Sequence, residues 1–378
     1  MPAGTQLRLG EATCLVAGAG IGGGVMAVPY LAAQVGTLPS LGIMAVAYAV
    51  TVVLHIMMAE LSIRSDHASE LLTIFSRHLF GRHSWLRPVF YGLMAITLVT
   101  NLAAYITGAG DILSDLLGLR GLLAKTLFVV VAALVVFLGL KRIAINEVAG
   151  VIVMVALLAP LIVRTIQLPV HQPLVQAHGT VPQLLAVYGM VMFALSSLFA
   201  VPQAASGLRS NRRHIVLAVA FGLLINLVVT AVIMLCTLAC SSPVTEVAIV
   251  GWAAALGGAT RVFGSLFIVF AIITTFWSVS LQLADLTREL FRAGRIVGWL
   301  IATLPSFMLA LLPVAGFITL MQIAGGATAL IIAVMAVPAY ANAVRGHQNL
   351  LLGRSGRNPG LFVIVIVMYL LMAVGSMM

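Results

Sequence analysis

The chain has 378 residues, of which 62% are hydrophobic and only 8% are charged, and its formal net charge is +10. Soluble chains carry about a quarter charged residues, so this composition excludes an ordinary soluble globular protein. The mean hydropathy of +1.16 indicates instead a chain that exposes apolar surface to lipid.

Apolar runs recur from residue 12 to the C-terminus. Most have the length of about 20 residues that a helix needs to cross the roughly 30 Å hydrocarbon core. Only helices and closed barrels satisfy the backbone in lipid, and unalternating runs such as Thr126–Leu140 and Leu361–Met377 favour helices. We therefore predict an all-α integral membrane protein with a single membrane domain over residues 1–378. The eleven predicted transmembrane helices are 12–34, 39–63, 87–117, 122–140, 145–167, 181–207, 214–238, 261–291, 295–313, 316–344 and 360–377.

Lysine and arginine are distributed asymmetrically over the predicted loops. With the N-terminus inside, sixteen of the twenty fall on cytoplasmic loops, and only Arg120, Lys125, Arg164 and Arg261 fall outside. This bias is the positive-inside rule. It predicts an inner-membrane protein with a cytoplasmic N-terminus and an external C-terminus. The net charge is then a topology signal and an attraction to anionic lipid, and nucleic-acid binding is excluded.

The three cysteines, Cys14, Cys236 and Cys240, show no metal-ligand spacing. An odd number of cysteines in apolar segments also argues against a disulfide framework. The sequence therefore predicts no cofactor, and it gives no sign of an obligatory protein partner.

The first predicted span contains the segment Ala17–Gly24, AGAGIGGG, with five glycines in eight residues and Pro29 shortly after. Each glycine inside a helix costs about 1 kcal/mol relative to alanine, so this segment is easily unwound. Unwound backbone at membrane depth is tolerated only against protein or a water-filled cavity. Close helix packing through small residues is the alternative interpretation.

The sixth predicted span has a second interruption. Ser196 and Ser197 lie in its middle and Pro202 follows, which removes a helical hydrogen bond. Interrupted helices at the start of two equivalent halves are typical of transporters built from inverted repeats. We therefore predict a 5+5 inverted repeat, approximately residues 11–167 and 181–345, with broken helices 1 and 6 and an appended helix at 360–377.

Four segments in the same order resemble those of a known family. They are Ile21–Pro29 (IGGGVMAVP), Tyr105–Leu113 (YITGAGDIL), Phe270–Leu286 (FAIITTFWSVSLQLADL) and Leu312–Gly326 (LPVAGFITLMQIAGG). They are similar to the first, third, eighth and ninth-to-tenth helices of the hydroxy and aromatic amino acid permeases, in the amino acid–polyamine–organocation superfamily. The resemblance implies the leucine-transporter-like fold and cation-coupled uptake of a neutral amino acid.

One segment departs from that family. Family members often carry a histidine and polar neighbours at the break of the sixth helix, where this chain has Ser197, Leu198, Phe199 and Ala200. The departure favours a more apolar pocket.

An amino acid substrate needs uncharged donors for its carboxylate, because an arginine within the membrane is costly. Backbone N–H groups at the start of a half-helix supply them, and glycines let the ligand approach the backbone. The carbonyls of Ile21 and of the sixth-helix break would bind the ammonium group. The predicted substrate-binding residues are Ile21, Gly22, Gly23, Gly24, Tyr105, Phe193, Ser196, Ser197 and Phe276. A packing role is the alternative for Tyr105 and the two phenylalanines.

The eighth predicted span contains Ala271, Thr274 and Thr275 in an Ala-x-x-Thr-Thr pattern. Relatives with the leucine-transporter-like fold place a sodium site at this position, which implies a coupling-cation site completed by carbonyls at Ala17 and Gly20. Threonines that bond to the preceding turn of their own helix are the alternative. No other metal site is predicted, and a bound sodium ion is the one candidate.

Ionisable residues within predicted spans are candidate gates or proton carriers. Glu60, Glu11 and Asp285 lie near cytoplasmic helix ends, where interfacial charge is the simpler interpretation. His55 titrates in a useful range and is a candidate proton carrier, as is Glu147.

These observations favour a secondary active transporter: a symporter, driven by protons more than by sodium, for a neutral aromatic or hydroxy amino acid. Sodium-coupled transport of small neutral amino acids is the alternative. A passive channel would need a filter of repeated carbonyls or charges, which the sequence does not show. An enzyme would need a nucleophile–base pair or a metal cluster, and the spacing of the histidines suggests neither.

Overall fold

The computed structural model describes residues 7–67, 71–81, 85–138, 147–168, 177–208, 211–312 and 316–378. Regular structure in these residues is helical throughout, which confirms the all-α prediction. The α-helices are α1 (Leu9–Gly20), α2 (Gly23–Ala32), α3 (Thr37–Arg64), α4 (Leu71–Phe75), α5 (Leu86–Leu117), α6 (Gly121–Leu138), α7 (Glu147–Gln167), α8 (Val181–Ala194), α9 (Ala200–Leu208), α10 (Arg212–Cys240), α11 (Ala248–Leu256), α12 (Ala259–Phe291), α13 (Arg295–Ala310), α14 (Phe317–Ile331), α15 (Val337–Ala343) and α16 (Pro359–Gly375). Two π-helical segments and one 3₁₀ segment accompany them at Ser76–Phe80, Ile332–Ala336 and Gly353–Arg357.

Six helical stretches in the described residues are long and apolar enough to cross a membrane, and α1 with α2 makes a seventh if the bent pair is one span. The two helices of that pair meet at an angle of 55°. Shorter apolar helices fill the remaining predicted spans; they are α6, α8, α13 and α16. The protein is therefore a multi-pass helical membrane protein, and length alone does not fix the number of crossings.

The observed helices follow the predicted spans to within a few residues. The ends of three predicted spans, residues 139–140, 145–146 and 313, lie outside the described residues. Sequence analysis missed two short helices, α4 and α11, because each is shorter than a span and is held by tertiary contacts. In α11 the buried Trp252 donates from its indole N–H to Thr165 Oγ1 in α7 at 2.8 Å.

Local sequence explains several helix ends. Thr180 and Gln183 form a capping box at the start of α8, where the Thr180 N–H donates to Gln183 Oε1 at 2.8 Å. Asn358 caps α16 by accepting the Gly360 N–H at 2.9 Å. At the end of α5, Gly118 adopts a left-handed conformation, with φ of 65°, that glycine tolerates.

The two interrupted helices lie at the centre of the bundle. The helix α1 packs on α10 and α9, α2 packs on α8, and α3 packs on α8, α9 and α10. On the other side α5 packs along α14 and α12. The outward faces carry large apolar residues such as Leu122, Ile152 and Ile166, which are more than half exposed. Such faces fit a lipid environment rather than water.

Candidate functional site

The first break is at Ile21–Gly22, between α1 and α2. The N–H of Ile21 still bonds back to Ala17 O at 3.3 Å, and that of Gly22 turns to Gly20 O at 2.9 Å. The new helix α2 then begins at Gly23. Because the first N–H groups of a helix have no partner in the preceding turn, α2 presents its N-terminal donors and the positive end of its dipole at the break.

Three side chains close around these glycines. A Cβ built on Gly22 would lie 2.9 Å from the Tyr105 hydroxyl and 3.5 Å from Thr275 Oγ1. One built on Gly23 would lie 2.8 Å from both Met321 Sδ and Tyr105 Cε1. Real Cβ atoms essentially never come within 3.0 Å of other groups, so glycine lets Tyr105 of α5 and Met321 of α14 approach the backbone here.

The helix α5 contributes Tyr105 and, one turn earlier, Asn101. Both are buried. The Tyr105 hydroxyl lies by the backbone amide of Gly23 and the side chain of Asn101. Among the described residues, no donor reaches the buried Asn101 Oδ1. This region therefore combines backbone N–H donors, a hydroxyl and an unpaired amide oxygen.

The second break separates α8 from α9 and spans Leu195–Phe199. Its backbone groups are bound by side chains from other helices. The Asn226 amide donates to Ala194 O at 2.9 Å, and the Ser197 N–H donates to His55 Nε2 at 2.9 Å. The Ser197 hydroxyl in turn donates to Val16 O in α1 at 2.8 Å. The two broken helices are thus joined directly, with Gly24 also packed on Ala194.

The remaining predicted substrate residues lie further apart. Ser196 is part of the second break, and its N–H donates to Phe193 O at 2.9 Å. Phe193 is partly buried and faces Gly325 of α14. Phe276 is fully buried and packs edge-on against Phe128 of α6, with ring centroids 5.5 Å apart. The structure brings Gly22, Gly23 and Tyr105 together most tightly; substrate contact by each predicted residue stays a prediction.

The predicted cation residues show the bonding of ordinary helical threonines. Thr274 Oγ1 lies 3.0 Å from the Phe270 and Ala271 carbonyls, and Thr275 Oγ1 donates to Ala271 O at 2.7 Å. Gly20 faces the amide of Asn226 rather than α12. Thr275 lies instead beside Gly22. A cation site formed by these residues stays a prediction.

Glu60 forms a buried charge cluster at the end of α3. Its carboxylate, 1% exposed, pairs with Arg64 at 2.7 Å and Arg212 at 3.2 Å and accepts the Leu351 N–H at 2.6 Å. Both arginines also donate to Asn349 O. A cavity of about 350 Å³ adjoins this cluster. Glu60 therefore has more ion-pair and hydrogen-bond partners than a charged side chain at the membrane interface would have, because the fold brings the loop before α16 against it.

By contrast, Asp285 is exposed and pairs with Arg288 at 3.2 Å.

Sequence reasoning passed over two residues that contact the breaks from other helices, Asn226 of α10 and Met321 of α14. Asn226 is fully buried in an apolar span, and a polar residue at that depth is a signal of function or of backbone satisfaction. Met321 gives no such signal, because methionine is common in apolar helices. Side chains of Glu147–Ala149 lie outside what the structure describes, so Glu147 as proton carrier stays a prediction.

Comparison with known proteins decides the family. The tryptophan/tyrosine permease family model matches residues 6–377. The chain belongs to the tryptophan/tyrosine permease family. This agrees with the resemblance seen in the four sequence motifs, and a permease is a membrane transporter rather than an enzyme.

A curated relative of this permease is the tyrosine-specific transport system 1 of Haemophilus influenzae. It is 25% identical over 377 residues, which cover 94% of this chain and 93% of that protein.

Solved structures with a similar fold include the manganese transporter of Eremococcus coleocola in complex with an aromatic bis-isothiourea substituted compound. It superposes with a TM-score of 0.69 at 15% identity and covers 99% of this permease and 88% of that chain. A histidine-to-alanine mutant of the same transporter gives a TM-score of 0.67 at 14% identity, with the same coverage. At this identity the likeness shows a shared fold and carries no information about the substrate.

Proposed function

We propose that this permease is a proton-coupled symporter that takes up an aromatic amino acid, tyrosine or tryptophan, across the inner membrane by alternating access. The observation that carries the proposal is the start of α2 at Gly23. There, the N–H groups of the first turn of α2 face Tyr105 inside a helical membrane bundle. The family and the tyrosine-specific relative support an aromatic substrate.

In this proposal the chain crosses the membrane eleven times. The bent pair α1 and α2 forms one span, and α8 with α9 forms another. The short apolar helices α6, α13 and α16 each complete a crossing. The inverted repeats are approximately 11–167 and 181–345, the last helix is appended, and the N-terminus is cytoplasmic. The asymmetric distribution of lysine and arginine supports this orientation.

The two charged ends of the substrate have separate partners in the proposed site. Its carboxylate binds the N–H groups of Gly23 and Gly24 at the start of α2 and the Tyr105 hydroxyl, because a helix N-terminus stabilises an anion without a full positive charge. Its ammonium binds the unpaired Asn101 Oδ1 and the carbonyl of Ile21. Met321, which touches Gly23, must shift to admit the substrate. A flexible methionine allows that movement at low cost.

A sodium-coupled transporter is the second candidate, and the position of Thr275 beside Gly22 favours it. Sodium prefers hard oxygen ligands, which threonine hydroxyls and backbone carbonyls supply. In the structure, however, both threonine hydroxyls are bonded within α12. We therefore rank proton coupling first.

Uptake of labelled tyrosine and tryptophan into proteoliposomes tests both candidates. We expect accumulation under an inward proton gradient without sodium. The double variant Thr274→Ala with Thr275→Ala should keep that uptake to within about twofold, because both hydroxyls are bonded within α12. Accumulation driven by sodium alone would reverse the ranking, and no accumulation under either gradient would overturn the proposed function.

A further inference from the structure

The buried histidine of α3 lies at the break of the sixth predicted span. His55 is fully buried and contacts two backbone groups. Its Nε2 accepts the Ser197 N–H at 2.9 Å, and its Nδ1 lies 2.7 Å from Thr51 O. A backbone N–H only donates and a carbonyl only accepts. The neutral ring therefore carries its proton on Nδ1 and uses the Nε2 lone pair to hold Ser197.

Ser197 is the residue through which this contact reaches the rest of the site. Its hydroxyl donates to Val16 O in α1, and its carbonyl accepts the N–H groups of Ala200 and Val201 at the start of α9. Its own N–H is bound to His55 in this structure. Ser197 thus links the histidine to both broken helices.

We propose that His55 is the site at which the coupling proton acts, through Ser197; this inference rests on the proposed proton-coupled uptake. The proton passes from a hydronium ion, which becomes water, to the Nε2 lone pair, and no covalent bond of the protein is broken. Nε2 then becomes a donor and can no longer accept the Ser197 N–H. The freed N–H becomes available to the substrate carboxylate, and the imidazolium adds a positive charge near it.

Linkage makes this arrangement a coupling device. If protonation of His55 strengthens binding of the amino acid, then the amino acid must strengthen binding of the proton by the same factor. Substrate and proton are loaded together, and loss of one at the cytoplasmic side favours release of the other. One hydrogen bond, from the Ser197 N–H to His55 Nε2, then serves both roles of the histidine. It holds the second break while the ring is neutral, and it is lost when the ring binds the proton.

The helices packed against α3 carry eight titratable residues. The titratable residues of α8, α10, α15 and α16 are Tyr188, Arg212, Arg213, His214, Cys236, Cys240, Tyr340 and Tyr369, and α9 has none. Tyr369 lies by Thr51, one turn from His55. On α3 itself Glu60 follows five residues later, with its charge compensated by Arg64 and Arg212. Among these groups, His55 alone binds backbone of the second break.

The variant His55→Gln separates structure from titration. The glutamine amide oxygen can reach the position of Nε2 and accept the Ser197 N–H, but it takes up no proton. We expect this variant to bind tyrosine and to exchange it across proteoliposome membranes, while losing accumulation driven by a proton gradient. The matched control is His214→Gln, at the start of α10, which should accumulate tyrosine like the parent.

The pH profile of binding gives the readout that a purely structural role would leave unchanged. Between about pH 5 and pH 8, the parent should bind labelled tyrosine more tightly as pH falls, by up to about tenfold per pH unit. His55→Gln should show a flat profile. Proton-driven accumulation together with an unchanged pH slope in His55→Gln would overturn the inference and leave the proposed function standing. If the parent itself accumulates nothing under a proton gradient, the proposed function fails first.

A measurement on the parent protein covers the case in which His55→Gln does not fold. Tyrosine added to unbuffered protein with a pH indicator should cause uptake of up to one proton per bound substrate. Binding without proton uptake across the same pH range would overturn the inference.

Discussion

The two helix breaks at the centre of the protein are built in opposite ways. The break at Ile21–Gly22 is made by glycines, and its N–H donors at the start of α2 are left for a neighbour or a ligand. The break at Leu195–Phe199 contains no glycine, and side chains of α3 and α10 bind its backbone. The first break is therefore suited to binding an anion. The second break is suited to a conformational change that begins when a side chain bound to its backbone lets go.

The largest expected effect comes from filling the first break. In Gly23→Leu the added side chain would collide with Met321 and Tyr105 and cover the N–H donors of α2. We expect tyrosine uptake in proteoliposomes to fall by about 100-fold, because the leucine side chain would occupy the space proposed for the substrate carboxylate even where Met321 moves aside. Gly42→Leu is the control, since a Cβ at Gly42 meets nothing within 4 Å. Normal uptake by Gly23→Leu would remove the glycine break from the proposed site.

Removing a side chain that binds the second break should lower the stability of the protein more than its affinity for the substrate. In Asn226→Ala the buried Ala194 carbonyl loses its donor, which costs about 1–3 kcal/mol. Thermal unfolding in detergent should occur at a lower temperature, and Asn342→Ala, at an exposed position, should change it little. Unchanged stability in Asn226→Ala would mean that water or another group satisfies this carbonyl, and the contrast between the breaks would weaken.

A smaller change tests what the hydroxyl near the first break adds. Tyr105→Phe removes one hydrogen-bonding group and keeps the ring against Gly23. We expect tyrosine affinity to fall by about tenfold, equivalent to roughly 1.4 kcal/mol, with thermal stability retained. Tyr91→Phe, on the same helix and away from the breaks, is the control. Equal affinity in both variants would assign Tyr105 to packing alone.

Much of the fold could be predicted from the sequence because the bilayer imposes it. An apolar run of about 20 residues has only one way to satisfy its backbone in lipid, so the helices follow the hydropathy closely. The first break was also predictable, since five glycines lower helix stability locally. The helices α4 and α11 were missed, because contacts such as Trp252 with Thr165 hold them rather than local propensity.

The partners of the breaks could not be read from the sequence. Nothing near His55 indicates that its ring lies opposite Ser197, which is 142 positions away, and nothing near Glu60 indicates Leu351. Likewise, Thr274 and Thr275 have a spacing that suits a cation, yet their hydroxyls bond within their own helix. Hydrophobicity and glycine content act locally along the chain, so the sequence by itself determined the membrane class, the helices and the first break. Hydrogen bonds between distant helices depend on their relative rotation and depth, so only the tertiary structure decided which side chains hold the second break.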